Sequence, residues 1–171
     1  MPLIFLRHPE PVAHKGLCYG RTDLPLAPGF EVISKRISGM LPPIKKIVTS
    51  PLTRCRVPAQ TIAMMREIPV ENDNDLIEMD FGVWENTPWN DISRTELDAW
   101  ADDFFNARPH QGESVAMLRN RVRSALSRLD EASTLWVSHA GVFRAVMAET
   151  SHPDPWNATI GFAEFHAFDL P

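Results

Sequence analysis

Cysteine is scarce: Cys18 and Cys55 are the only two in 171 residues, and no CxxC pair or Cys/His set at zinc-ligand spacing accompanies them. Two cysteines make no disulfide framework, so both are expected to be reduced thiols, and no structural zinc is expected. Long apolar runs are missing too. The first, residues 3–6, is far too short for the core of a signal peptide or for a membrane span, which places the chain in the cytoplasm and away from membranes. Positive charge is not in excess. A net charge of −5 argues against nucleic acid as the main partner, although a local group of cations can still hold a small anion. The acidic stretch Asp73-Asn74-Asp75 lacks the glycine and distal glutamate of a calcium loop, and no HExxH pattern occurs, so neither metal nor cofactor is expected. Repeats, low-complexity tracts and long linkers are absent. Residues 1–171 therefore read as one domain, with a hydrophobic fraction of 44% and a charged fraction of 23% that suit an ordinary globular protein.

What is present is an alternation of short apolar runs and amphipathic stretches. Residues 3–6, 47–49 and 135–137 are uninterrupted apolar runs of the kind found in strands buried on both faces. Helices are expected over 30–41, 52–65, 114–129 and 141–150, with a closing strand over 163–168. The stripe Val115, Leu118, Val122, Leu126 and Leu129 is the clearest helical signal. Ser50 is the expected N-cap of the second helix and Pro51 its first turn, while Pro58 should kink that helix by removing the bond to the Arg54 carbonyl. Residues 89–105 read as helical without an assignable face, and 8–28 as a loop over the sheet end. Strands alternating with helices give an α/β fold: a single domain with a largely parallel central sheet and helices on both faces.

Ligands of open α/β sheets bind beyond the carboxyl ends of the strands. Arg7, His8, Arg54 and His139 all follow expected strands directly, so the fold should bring them together. Two guanidinium forks can grip a phosphate monoester bidentately, and the helix starts near Pro51 and after His139 offer free amides to an anion. A neutral imidazole, bare on one nitrogen and fixed on the other, is a competent nucleophile. A second histidine, protonated, would stabilise charge on the transferring group.

With these residues in hand, the chain resembles the histidine phosphatase superfamily, also called phosphoglycerate-mutase-like, over nearly its whole length. The family's opening Arg-His-Gly is matched by Arg7-His8-Pro9, its Ser-Pro-Leu-x-Arg turn by Ser50 to Arg54, and its Leu-x-Glu and Gly-x-Trp-Glu by Leu76-Ile77-Glu78 and Gly82-Val83-Trp84-Glu85. Gly112-Glu113-Ser114 matches a helix start, and Ser138-His139-Ala140-Gly141 the closing Ser-His-x-Gly. The resemblance implies that His8 becomes phosphorylated, that Arg7, Arg54 and His139 bind the phosphoryl group, and that Glu78 is the acid and base. A carboxyl beside a phosphate dianion is expected to keep its proton near neutrality. Glu85 is the rival acid and is read as structural. No metal cofactor is implied, and the lack of a long insert favours hydrolysis over phosphoryl shuttling.

Cys18-Tyr19-Gly20-Arg21-Thr22-Asp23-Leu24-Pro25-Leu26 is similar to the loop of α-ribazole phosphatases, which dephosphorylate a late cobalamin precursor. This implies a small phosphomonoester substrate such as α-ribazole 5′-phosphate, with Arg21 or Thr22 touching it; for Arg21 a solvent-facing loop position is the open alternative. A phosphatase of phosphohistidine or of sugar phosphates is a second reading, and a phospholigand-binding module without catalysis a third. Pro9 keeps the third open, because proline in place of the family's glycine removes a backbone donor. The oligomeric state is not legible in the sequence.

Overall fold

Leu3, Ile4, Phe5 and Leu6 point alternately to the two faces of a strand, and all four are buried. A strand apolar on both sides must be covered on both sides, and this determines the layers. The computed structural model describes residues 2–170. Their regular elements are β1 (Pro2–Arg7), β2 (Leu17–Cys18), α1 (Phe30–Met40), β3 (Lys46–Thr49), α2 (Thr53–Arg66) and β4 (Val70–Asn72), then β5 (Thr87–Pro88), α3 (Arg94–Asp102), α4 (Val115–Leu126), β6 (Thr134–Ser138), α5 (Ala140–Glu149) and β7 (Phe165–Asp169).

The main sheet has the order β4-β3-β6-β1-β7. Its first four strands are parallel, and β7 closes the edge antiparallel to β1. Leu3, Phe5, Val48 and Trp136 face α4 and α5, forming one core with Val122, Val142 and Val146. Ile4, Leu6, Ile47, Leu135 and Val137 face α1 and α2, forming the other with Ile37, Ala59 and Ile62. A third, smaller core gathers Cys18, Trp84 and Ile92 where the ribbon of β2 and β5 ties the loop after β1 to the segment before α3.

Two local expectations are corrected. Ser50 does not cap α2: the helix begins at Thr53, and Asp23, from the distant loop, accepts from Thr53 N–H at 2.8 Å and from its hydroxyl at 2.7 Å. The helix runs on through Pro58 to Arg66, with Pro58 buried. Residues 89–105 are a single turn of 3-10 helix, Trp89–Asp91, followed by α3, which has no fully buried residue and packs only half-buried Leu97 and Trp100 against the cores. β4 was not anticipated, because Val-Glu-Asn at an edge shows no apolar run.

Candidate active site

β3, β6 and β1 are parallel neighbours, so their carboxyl ends lie side by side. β1 leads into His8, β6 into His139 and β3 into Ser50. The ladder continues into these residues, with His8 N–H donating to Ser138 O at 3.1 Å and Ser50 N–H to Val137 O at 3.0 Å. The His8 and His139 rings are therefore 5.2 Å apart between centroids. Arg54 comes from the first turn of α2, and Glu78 from the loop beyond β4. Arg7, His8, Arg54, Glu78 and His139, separated by up to 132 positions in sequence, line one cavity of about 260 Å³.

His8 is buried and its Nδ1 is 2.7 Å from the carbonyl oxygen of Pro9. A carbonyl only accepts, so Nδ1 carries the proton and Nε2 is left bare. Pro9 lacks the amide of the family's glycine, but its carbonyl fixes the tautomer that a nucleophile needs. Burial, and then Arg54, push the His8 pKa well below the ordinary value, so this imidazole is neutral at pH 7. His139 was expected to be charged. In the unliganded protein it is not, because burial, followed by Arg54 and His8, pushes its pKa well down also. Only an incoming anion supplies the field that favours an imidazolium here. Its Nε2 is 2.8 Å from Ser50 Oγ, which is what Ser50 does instead of capping a helix.

The two arginines are held by carbonyls. Arg7 donates through one terminal nitrogen to Ile160 O at 2.7 Å and lies 3.9 Å above the Phe162 ring. Burial lowers its pKa from the usual value, but a guanidinium remains cationic near neutrality. Arg54 donates to Thr22 O at 2.7 Å and Gly20 O at 2.6 Å. The Nε of each arginine is buried without a partner among the described residues. Two desolvated cations with spare donors beside a small cavity define an anion site.

The two glutamates separate clearly. Glu85 accepts from the amides of Gly20, Arg21, Thr22 and Phe81 and from the Thr22 hydroxyl. Burial pushes its pKa up, but the Thr22 hydroxyl and these amides outweigh burial and hold it below the usual range. Glu85 thus fixes the loop whose carbonyls hold Arg54, and it lies outside the cavity lining. Glu78 lines the cavity. Its Oε2 accepts from Gly141 N–H at 3.0 Å and its Oε1 from Met79 N–H at 2.9 Å. A Cβ on Gly141 would overlap Oε1, so this glycine is needed for the carboxylate to come so near the helix. Arg121 braces the same segment, donating to Asp75 O at 2.7 Å and Glu78 O at 3.1 Å while paired with Glu113 at 2.7 Å.

Some expected contacts are committed elsewhere. One amide of each helix start is already taken, Thr53 N–H by Asp23 and Gly141 N–H by Glu78. The structure does not bring Arg21 and Thr22 to the cavity: Thr22 Oγ1 donates to Glu85 at 2.5 Å, and exposed Arg21 lies 4.0 Å from Asp80. Conversely, Tyr19 and Arg144 line the cavity and were not singled out. Arg54 lies 5.3 Å from the centre of the Tyr19 ring. Arg144 could have been found from helical spacing, because positions 140, 141 and 144 share a face of α5; Tyr19 gave no signal within an irregular loop. Among the described residues, no group of three His, Cys, Asp or Glu side chains stands close enough to hold a metal ion, and no helix is long and apolar enough to cross a membrane.

A parallel α/β sheet whose strand ends gather two arginines, two histidines and a glutamate around a small cavity defines a phosphoryl-handling protein. The chain belongs to the histidine phosphatase superfamily: residues 3–163 match the family model of the Histidine phosphatase superfamily (branch 1). It is a phosphatase with a histidine nucleophile. The chain is 32% identical over 158 residues to the adenosylcobalamin/α-ribazole phosphatase of Salmonella typhimurium strain LT2, covering 86% of this chain and 78% of that one. It is 31% identical to the enzyme of the same name from Escherichia coli K12, with the same coverage. The crystal structure of the α-ribazole phosphatase from Shigella flexneri superposes with a TM-score of 0.88 at 27% identity, covering 100% of this chain and 91% of that one.

Proposed function

We propose that the protein hydrolyses a small phosphomonoester, α-ribazole 5′-phosphate being the favoured substrate, through a phosphohistidine formed on His8. The observation that carries this reading is the hydrogen bond from His8 Nδ1 to Pro9 O, which leaves Nε2 bare in a cavity flanked by Arg7 and Arg54. The phosphoryl group enters against the two guanidinium groups. His8 Nε2 attacks phosphorus in line, the bond from phosphorus to the ester oxygen breaks, and Glu78 gives its proton to the departing alcohol. His139 neutralises charge on the equatorial oxygens. In the second half, water gives a proton to Glu78 and attacks phosphorus, the N–P bond breaks, and inorganic phosphate leaves with His8 neutral again. The likeness to α-ribazole phosphatases supports the choice of substrate. The reading is of a cytoplasmic enzyme, which agrees with two buried free thiols.

The test is turnover of an aryl phosphate in the presence of a chelator. The wild type should release phosphate, His8→Ala should release none, and alkali-quenched protein should carry phosphate on His8 that is lost on treatment with acid. Tight phosphate binding without turnover, or full turnover by His8→Ala, would overturn the mechanism. Ranking α-ribazole 5′-phosphate, a phosphohistidine peptide and sugar phosphates by kcat/KM tests the substrate. The first should lead by about tenfold or more.

A further inference from the structure

In an in-line displacement the leaving oxygen departs on the side of phosphorus opposite the attacking nitrogen. If Glu78 protonates that oxygen, the organic half of the substrate begins where the Glu78 carboxyl is. A second cavity of about 300 Å³ adjoins the first, sharing Glu78 and Arg144 with the phosphate cavity. Its remaining walls are mostly apolar, with Phe81, Trp100, Phe104, Leu118 and Trp156 among them. Trp100 and Phe104 have ring centroids 5.7 Å apart, and Phe104 and Trp156 5.8 Å. Arg144 is fixed at the boundary by a bond from its Nε to Ala158 O at 3.1 Å.

We infer that this aromatic-walled slot is the leaving-group subsite, holding a flat, apolar portion of the alcohol and selecting phosphomonoesters that carry such a group over those of short alcohols or of polyhydroxylated ones that lack it. The inference rests on the phosphatase reading above and adds the residues that choose the alcohol. Rings tilted or set edge-on to one another present both faces and edges to a planar guest, which suits an aromatic group. A polyhydroxylated group would bury hydroxyls against carbon, with few donors in reach.

The experiment compares phenethyl phosphate with ethyl phosphate, esters of alcohols of similar acidity, so that the difference reports binding of the ring. For the wild type, kcat/KM should favour phenethyl phosphate by about tenfold or more. Phe104→Leu and Trp156→Leu, two variants on separate segments, should each cut that preference by about fivefold, a loss of the size expected for a truncated aromatic anchor. Competitive inhibition by inorganic phosphate, which fills only the cage, is measured alongside. Equal kcat/KM for the two esters in the wild type, or an equal fall for both in the variants, overturns the inference. Binding of phenethylphosphonate and ethylphosphonate to the wild type, followed by calorimetry, decides it without turnover. A tenfold tighter phenethyl compound supports the slot, and equal affinity refutes it. Failure of the phosphatase reading is seen separately, as turnover by His8→Ala or as no turnover of either ester by the wild type.

Discussion

At the residue scale the decisive contacts are between a carboxylate and a backbone. Glu78 and Glu85 are only seven positions apart. What distinguishes them is what surrounds each: Glu85 is ringed by four amides and a hydroxyl, whereas Glu78 opens onto the cavity. The sequence pattern marked Glu78, but could not supply this reason. The glycine of Ser-His-x-Gly now has one as well, because its missing Cβ leaves room for Glu78 Oε1. Gly141→Ala should therefore displace the carboxyl. Alanine is the better helix residue by up to about 1 kcal/mol, so the melting temperature should hold or rise while kcat falls by about 10²-fold or more, as when a general acid is lost. Glu78→Gln should match that loss in kcat, and a fully active Gly141→Ala enzyme would show that Glu78 is not the acid. Glu85→Ala acts differently. It strips the acceptor from several partly buried donors and should destabilise the fold by about 2 kcal/mol, loosen the carbonyls that hold Arg54, and raise KM for the phosphoester. Unchanged urea unfolding and unchanged KM in Glu85→Ala would contradict this structural role.

At the scale of elements, the pieces with a strong period were legible and the pieces set by tertiary contact were not. The apolar runs that became β1, β3 and β6 were visible because a strand covered on both faces has no polar positions, and α4 was visible because its stripe faces one core. β4 escaped because an edge strand can be polar. The start of α2 was misplaced because the sequence offered Ser50, a good cap by type, while the cap came from Asp23, thirty positions upstream and across a loop. No local rule sees that partner. Its consequence can be measured: Asp23 joins the loop of residues 20–23 to the helix that carries Arg54, and it completes the orphan amide of Thr53. Asp23→Ala should lower stability by about 1 kcal/mol, typical of a lost cap, and weaken phosphate binding through Arg54. Asp23→Asn, which keeps one acceptor, should recover part of both. Variants as stable as the wild type in urea titration would mean that the contact carries no weight. Cys55, one turn into the same helix, is no rival nucleophile: burial pushes its thiol pKa up, and a neutral thiol is inert.

At the scale of the whole molecule, the site is built at the expense of stability in acid, and that tension can be read by titration. The sheet brings His8 and His139 inside the protein next to Arg54, and both are wholly buried with pKa values well below the ordinary 6.5. His110, enclosed by Phe81, Trp84 and Trp100, is lowered too, mainly by burial. The sign follows from linkage. Above about pH 7.5 the imidazoles are essentially neutral in both folded and unfolded chains, and they contribute nothing to the pH dependence. As the pH falls below this, the unfolded chain takes up protons that the folded chain refuses, so folding weakens until the depressed folded values are reached. For His8 and His139 together the loss should be about 2–3 kcal/mol between pH 7.5 and 5.5, which a set of urea titrations resolves. Replacing His8 by Asn should remove about half of that slope, whatever it does to stability at pH 7.5. Saturating inorganic phosphate should lessen the slope as well, because a dianion against His139 restores the value of its proton in the folded state. A stability profile that stays flat from pH 7.5 to 5.5 would mean that these imidazoles are reached by water, and then neither the dry cage nor the neutral nucleophile could be as described.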